Sequence, residues 1–348
     1  MPRPHPIALA LAGAALACLI APAEAVSVKD ANHRSESWYR GKEARRLADT
    51  ILLYQRENGG WPKNIDYDRK IGSEERAEIE AEKPKNDTTF DNGATWQEIR
   101  FLSGMFAVTG DDDCRRAALW GIDFVLEAQY KSGGFPQCYP FPSGYQKHIT
   151  FNDNAMVGVL ALLRDVSVPT GRFTFVPEKV RERAGKAVDQ GIRCILKCQV
   201  KVDGELTAWG QQHDRDTYEP MPARGFEPAS LCAMESADIL EFLLKIKDPP
   251  GEVKRSIRAA AKWLDGPAKI IGRRYDKKSA KLKKDRRAGP LWARLYEIGS
   301  NKPIYGDHDK KIHYDIAEIS DERRNGYSWL GTWGEEALEK YREWERRN

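Results

Sequence analysis

The sequence has few cysteines, one apolar run near its start and none as apolar later, and few strand signals. Six cysteines are spread over 348 residues. Cys18 lies in the N-terminal apolar run, and five follow: Cys114, Cys138, Cys194, Cys198 and Cys232. That odd number leaves at least one thiol free. Cys194 and Cys198 stand one helical turn apart, but no Cys/His set surrounds them, which excludes a zinc site and leaves buried free thiols as the expectation. No segment is long enough to span a bilayer. An excess of one charge is also missing, since 56 basic residues face 52 acidic ones for a net +4. No twelve-residue EF-hand loop is present.

What the start of the chain does contain is a positive first few residues, then "IALALAGAALACLIAPAEAV" with a small-x-small end at Ala23-Glu24-Ala25. This pattern predicts a signal peptide over residues 1–25, cleaved after Ala25, and one domain over residues 26–348. The protein is expected to be secreted or periplasmic, without a membrane span, and monomeric. Nucleic acid is not an expected partner outside the cell. At 41% hydrophobic and 31% charged residues, the composition is that of a globular domain with ample core. About half of the tryptophans are expected in that core.

Charge is unevenly placed. Residues 66–83 are acid-rich and read as a surface excursion. Residues 273–287, "RRYDKKSAKLKKDRR", hold nine basic residues against two aspartates. Such a run suits a solvated helix or loop, or a patch for a polyanion.

Three segments line up: "TILLYQRENGGWPKN" (50–64), "DFVLEAQYKSGGFPQCYP" (123–140) and "IRCILKCQVKVDGELTAWGQQHD" (192–214). Each is an apolar helical run ending on a glutamine, followed by a glycine break and an aromatic loop. The glutamines, Gln55, Gln129 and Gln199, are 74 and 70 residues apart. A second helical pattern follows each loop. Helix, loop, helix repeated three times predicts an all-α fold, an (α/α)₃ toroid of three helical hairpins with the loops gathered at one end.

In that arrangement "DN" at 91–92, "DN" at 153–154 and "ARGFE" at 223–227 occupy equivalent positions at helix starts. Asp91 and Asp153, with their neighbouring amides, are either N-caps or hard oxygen ligands that suit Ca²⁺. Arg224 at a helix start opposes the macrodipole, so either Glu227 or a bound anion should compensate it. A pair of carboxylates is also what a glycosidase needs.

Together "NGGWPKN", "DNGAT", "GGFPQCYP", "ITFNDNAM", "WGQQHD", "PARGFEPAS" and "NGYSWLGTW" resemble the pectate lyases of polysaccharide lyase family 10, from about Trp38 to the C-terminus. The resemblance implies the same toroid and calcium-dependent β-elimination of polygalacturonate. It implies Arg224 as the base that takes the C5 proton, and Asp153 and Asp91 as the acidic members of the calcium centre. Arg294 in "WARLYE" would hold a substrate carboxylate, and Lys63, Asn154, His213 and Tyr327 would contact substrate. Near "GDHDKK" the resemblance leads one to expect an arginine where His308 stands, which puts that subsite in doubt. "NGGW" is also similar to the Gln-to-Trp repeats of terpene cyclases, but their acidic donor cluster and Asp-rich site are missing. A pectin-binding protein without activity, or a hydrolase acting on uronides, is the other alternative.

Overall fold

The computed structural model describes residues 26–348, so the expected leader lies outside the described residues. Eight helices carry the architecture: α1 (Lys42–Tyr54), α2 (Trp96–Thr109), α3 (Asp112–Ala128), α4 (Ala155–Val166), α5 (Glu178–Cys198), α6 (Ala233–Leu244), α7 (Gly251–Asp265) and α8 (Trp333–Glu345). Helices α2 and α3, α4 and α5, and α6 and α7 pack as hairpins, and α8 packs on α6 and α7. This is the all-α (α/α)₃ toroid.

Two kinds of helix build it. In α5 the buried residues Ala184, Ala187, Val188, Gly191, Cys194, Ile195 and Cys198 recur every three or four positions, so one stripe faces inward. In α4 nine of twelve residues are buried, including Val157, Leu160 and Leu163. A helix apolar nearly all round belongs in the interior. The inner helices α2, α4 and α6 touch in sequence order, and the amphipathic ones lie outside them. At Gly158 and Gly191 the helices approach too closely for a side chain: a methyl group would meet the Trp96 indole or the Leu160 side chain.

The repeated glutamines are clasps. Gln55 Nε2 donates to Gly59 O at 2.9 Å and to Ala117 O at 3.0 Å. Gln129 Nε2 donates to Gly133 O at 2.9 Å and Ala187 O at 2.8 Å. Gln199 Nε2 donates to Thr207 O at 3.0 Å and Ser256 O at 3.1 Å. Each side chain ties its own loop to the next outer helix, α3, α5 or α7. The aromatics after the breaks repeat too. The Nε1 groups of Trp61, Trp209 and Trp292 donate to Ile51 O, Ile195 O and Leu264 O, each at 2.8 Å. Trp292 follows α7, so the pattern runs half a repeat further than the three segments in the sequence.

Short strands brace the loop end. One antiparallel sheet orders Ile312–His313, Pro303–Gly306, Leu295–Tyr296 and Leu231–Cys232. Trp292–Ala293 pairs separately with Leu330–Gly331. These pairings hold residues 292–296 between the start of α6 and the 325–333 loop. Residues 273–287 form neither a helix nor a simple loop. Arg273–Asp276 and Lys281–Lys284 pair as an antiparallel hairpin, because Tyr275 and Leu282 face each other and give it an apolar side. The acid-rich excursion is largely a surface helix, Ser73–Ala81, with Ile79 buried.

Replacing Gln129 with alanine leaves the Gly133 carbonyl without its donor and removes the side-chain tie to Ala187 O. It should lower unfolding stability by about 1–3 kcal/mol in urea titrations. A change below about 0.5 kcal/mol, the size of an ordinary surface substitution, would remove the clasp role.

Candidate active site

The two Asp-Asn pairs occupy matching turns. Asp91–Gly93 and Asn152–Asn154 are single 3₁₀ turns directly ahead of α2 and α4. Neither supplies a side-chain cap: Asn154 stands at the N-cap position of α4 without a cap hydrogen bond, and α2 has none either. Their composition has a backbone cause instead. Asn92, Asp153 and Asn154 have φ values of 53°, 51° and 59°. Asn and Asp enter that left-handed region more readily than other side-chain-bearing residues. The turns touch each other, and Asp91 and Asp153 border one small cavity with Arg224.

Asp91 is almost fully buried. Its Oδ2 pairs with the Lys63 ammonium, while its Oδ1 has no hydrogen-bond partner. Partial burial of Lys63 lowers its pKa, but the bond to Asp91 more than offsets this and the ammonium is favoured. Asp153 Oδ2 accepts from Asn152 Nδ2 at 2.6 Å. Burial raises the Asp153 carboxyl above its ordinary range against the pull of Arg294, with Asp91 and Glu235 adding repulsion. A buried carboxylate oxygen without a donor, beside a second carboxylate, fits a hard cation. Among the described residues no three His, Cys, Asp or Glu side chains group as a metal cage. A cation here would need oxygens from ligand or water to complete its shell.

A chain of polar contacts runs across the cleft. Arg294, nearly buried, donates through Nη2 to Glu235 Oε1 at 2.8 Å and to Asn152 Oδ1 at 2.9 Å. Gln211 Nε2 donates to Asn152 Oδ1 and to the Tyr327 hydroxyl, both at 2.9 Å. Tyr327 in turn donates to Glu227 Oε1 at 2.8 Å. Glu227 accepts from Arg224 Nε at 2.7 Å and Nη2 at 2.6 Å. The Tyr327 ring lies 4.6 Å from the Arg294 guanidinium and 5.5 Å from that of Arg224. One aromatic ring thus serves two cations.

Arg224 differs from expectation in its setting. It lies in the loop ahead of α6 rather than at a helix start, so the macrodipole does not act on it. Its compensation is the Glu227 carboxylate, whose hydrogen bonds hold the guanidinium pKa above its ordinary value despite partial burial. For Arg294, burial lowers the pKa but the Glu235 charge prevails, so it too is held cationic.

The remaining expected contacts are scattered. His213 is fully buried, with Nδ1 on Tyr218 O at 2.8 Å and Nε2 accepting from Gly210 N at 3.0 Å. Both nitrogens serve the backbone, and burial lowers the ring's pKa to about 4, so His213 shapes a loop and does not reach a ligand. Asn154 faces Asp238 on α6, and its neighbour Asn152 takes the place in the network. His308 is exposed and bonds Glu322 at 2.9 Å, outside the cleft. The same turn lays Lys310 against Gly225, next to Arg224.

Sequence reasoning missed Asn152, Gln211, Glu235, Tyr275, Lys277 and Arg324. Asn152 and Gln211 lie inside "FNDNAM" and "WGQQHD" and were readable there. Glu235 was marked by an acidic residue in the apolar start of the third inner helix. The wider cleft is a cavity of about 500 Å³ that Asp153, Arg224 and Arg294 share with Tyr275, Lys277 and Arg324.

Fold and site define an α/α-toroid enzyme with an open, largely cationic cleft at its loop end. The family model described as pectic acid lyase matches residues 55–338. Among solved structures, a family 10 polysaccharide lyase from Cellvibrio cellulosa is 32% identical with a TM-score of 0.79, covering 91% of this chain and 95% of that one. A mutant of that family 10 lyase, in complex with trigalacturonic acid, gives the same identity and TM-score and is covered to 98%. No curated protein matches the chain. The chain belongs to the pectic acid lyase family, as a family 10 polysaccharide lyase, and its activity is that of a pectate lyase.

Glu235→Ala would leave Arg294 buried without its main counter-charge. It is expected to reduce unfolding stability by about 3–5 kcal/mol, read by urea or thermal melts. A loss under about 1 kcal/mol, the range of an exposed ion pair, would mean that the pair does not hold the network.

Proposed function

We propose that this lyase is exported and cleaves polygalacturonate by calcium-dependent β-elimination, leaving 4,5-unsaturated oligogalacturonides. The observation that carries the reading is the unpartnered Asp91 Oδ1, which shares one small cavity with Asp153, Lys63 and Arg224. The similar lyase in complex with trigalacturonic acid supports a uronate ligand. Arg294 supplies fixed positive charge for substrate carboxylates, and Lys63 a partly exposed ammonium that can exchange its partner.

Asp91 and Asp153 would hold Ca²⁺. Bound there, the ion supplies Lewis-acid stabilisation of a uronate carboxylate and of the charge that develops next to it. Removing the C5 proton places an electron pair next to that carboxylate. The pair forms the C4–C5 double bond as the C4–O bond breaks, and the departing oxygen takes a proton from solvent water. We assign the C5 proton to Arg224. A guanidinium accepts a proton only after giving one up, and Glu227 holds the resting group charged. Substrate entry must therefore part Arg224 from Glu227 before it acts as base. The raised pKa fixes the sign of the pH dependence: the neutral form grows as pH rises.

Two measurements test this. The ultraviolet absorbance of polygalacturonate should rise with the protein and Ca²⁺ and stop with a chelator. New reducing ends without absorbance would instead mean hydrolysis. The kcat/KM for elimination should climb with pH up to at least about pH 9, as a base of high pKa requires. Arg224→Lys should lower it at least about 100-fold, and a rate within about twofold of the parent would remove Arg224 as the base.

The proposed cleavage site lies beside a carboxylate. The Val26 N–H donates to Asp68 Oδ2 at 3.0 Å, and Asp68 pairs with Arg46 as well. Cleavage after Ala25 would turn that N–H into an ammonium on the same carboxylate. No helix among the described residues is long and apolar enough to cross a membrane. The intact mass of exported protein should begin at Val26. In that form Asp68→Asn should lower stability by about 1–3 kcal/mol, and a mass that retains residues 1–25 would overturn the cleavage reading.

A further inference from the structure

We infer that the basic hairpin Arg273–Lys284 is an outer binding element for a linear polyuronate, taking up sugar units beyond the reacting centre. The inference rests on the polygalacturonate reading above.

Three observations carry it. The first is position. Tyr275 and Lys277 line the same cavity as Arg224, Arg294 and Asp153, so the hairpin begins where the cleft ends. Tyr275 packs on the small apolar cluster of Phe226, Tyr305 and Trp329, which anchors the hairpin next to the Arg224 loop.

The second is uncompensated charge. Residues 273–287 hold nine cations and two aspartates. Asp276 is taken by Lys283, and Asp285 lies 3.5 Å from Arg274. No ion pair among the described residues serves the other seven.

The third is register. Arg273 stands directly opposite Lys284, and Arg274 opposite Lys283. Like charges directly opposite each other across a strand pair destabilise a sheet. Arg274 and Lys283 are relieved by the two aspartates, but Arg273 and Lys284 have no such relief. A solvated surface has no need for that pairing. A polymer with one carboxylate per sugar unit would relieve it and follow the row of charge into the cleft. Exposed cations of this kind act on capture and on salt dependence more than on the chemical step.

The test compares polygalacturonate with trigalacturonate, using the full chain and the double variant R273Q/K284Q, whose positions do not line the cavity. At low salt the variant's KM for the polymer should rise about tenfold, with kcat unchanged. Turnover of the trimer should be unaffected, and the polymer difference should close at high salt. In the unsubstituted protein, KM for the polymer should climb more steeply with salt than KM for the trimer. That comparison needs no variant to fold. Equal salt slopes, an unchanged polymer KM, or equal shifts for both substrates would overturn the inference and leave the substrate reading standing. Absence of turnover of either substrate by the unsubstituted protein would overturn the substrate reading, and the inference with it.

Discussion

A buried arginine needs a counter-charge, and much of this active site is arranged around that need. Arg294 is nearly inaccessible and Glu235 more so, and their contact at 2.8 Å holds Arg294 cationic. Removing either would strand a charge in a poorly solvated interior. Once Arg294 is fixed, Asn152 is oriented by it, Gln211 by Asn152, Tyr327 by Gln211, and Glu227 with Arg224 by Tyr327. The Arg224 loop is held through side chains from four separate stretches of chain, at Asn152, Gln211, Arg294 and Tyr327. Backbone bonds secure the same point: Ala233 N donates to Arg294 O and Arg294 N to Trp329 O.

Convergence of such distant residues follows from the repeat. The glutamine clasps join each outer helix to the next, so every loop emerges at the same end. Matching turns then deliver Asp91 and Asp153 to one cavity. The same geometry brings together charges that repel. Two carboxylates face a substrate that is itself an anion, so positive charge has to be supplied from several sides. Lys63, Arg224, Arg294, Arg324 and Lys277 supply it from the protein, and a bound cation would supply the rest.

The cleft also separates fixed charge from adjustable charge. Arg294 and Glu235 are sealed, while Arg224 and Lys63 are partly exposed and each holds one carboxylate. A uronate entering the cleft competes for these outer cations without disturbing the buried pair. In the mechanism proposed above, binding and proton transfer fall to groups that can exchange partners, supported by a buried Arg294–Glu235 pair that stays in place.

The helical repeats, the loops gathered at one end and the Asp-Asn turns were all legible in the chain, because apolar period, glycine breaks and glutamine ends are local signals. Arg224 and its Glu227 partner were legible for the same reason, three residues apart. What lay beyond the sequence depended on contacts between distant segments. The hairpin at 273–284 was hidden because its alternation is carried by charged residues, with Tyr275 and Leu282 its apolar pair. His213 and His308 looked alike as polar residues near motifs. Tertiary packing buried one and left the other on the surface. Asn152 and Asn154 flank the same aspartate, and only the left-handed turn decided which amide faces Arg294. The sequence by itself determined the helices and the chemistry of the turns, because those follow from neighbours along the chain. The pairing of Arg294 with Glu235, and everything oriented by it, was decided only when burial made an unpaired charge intolerable.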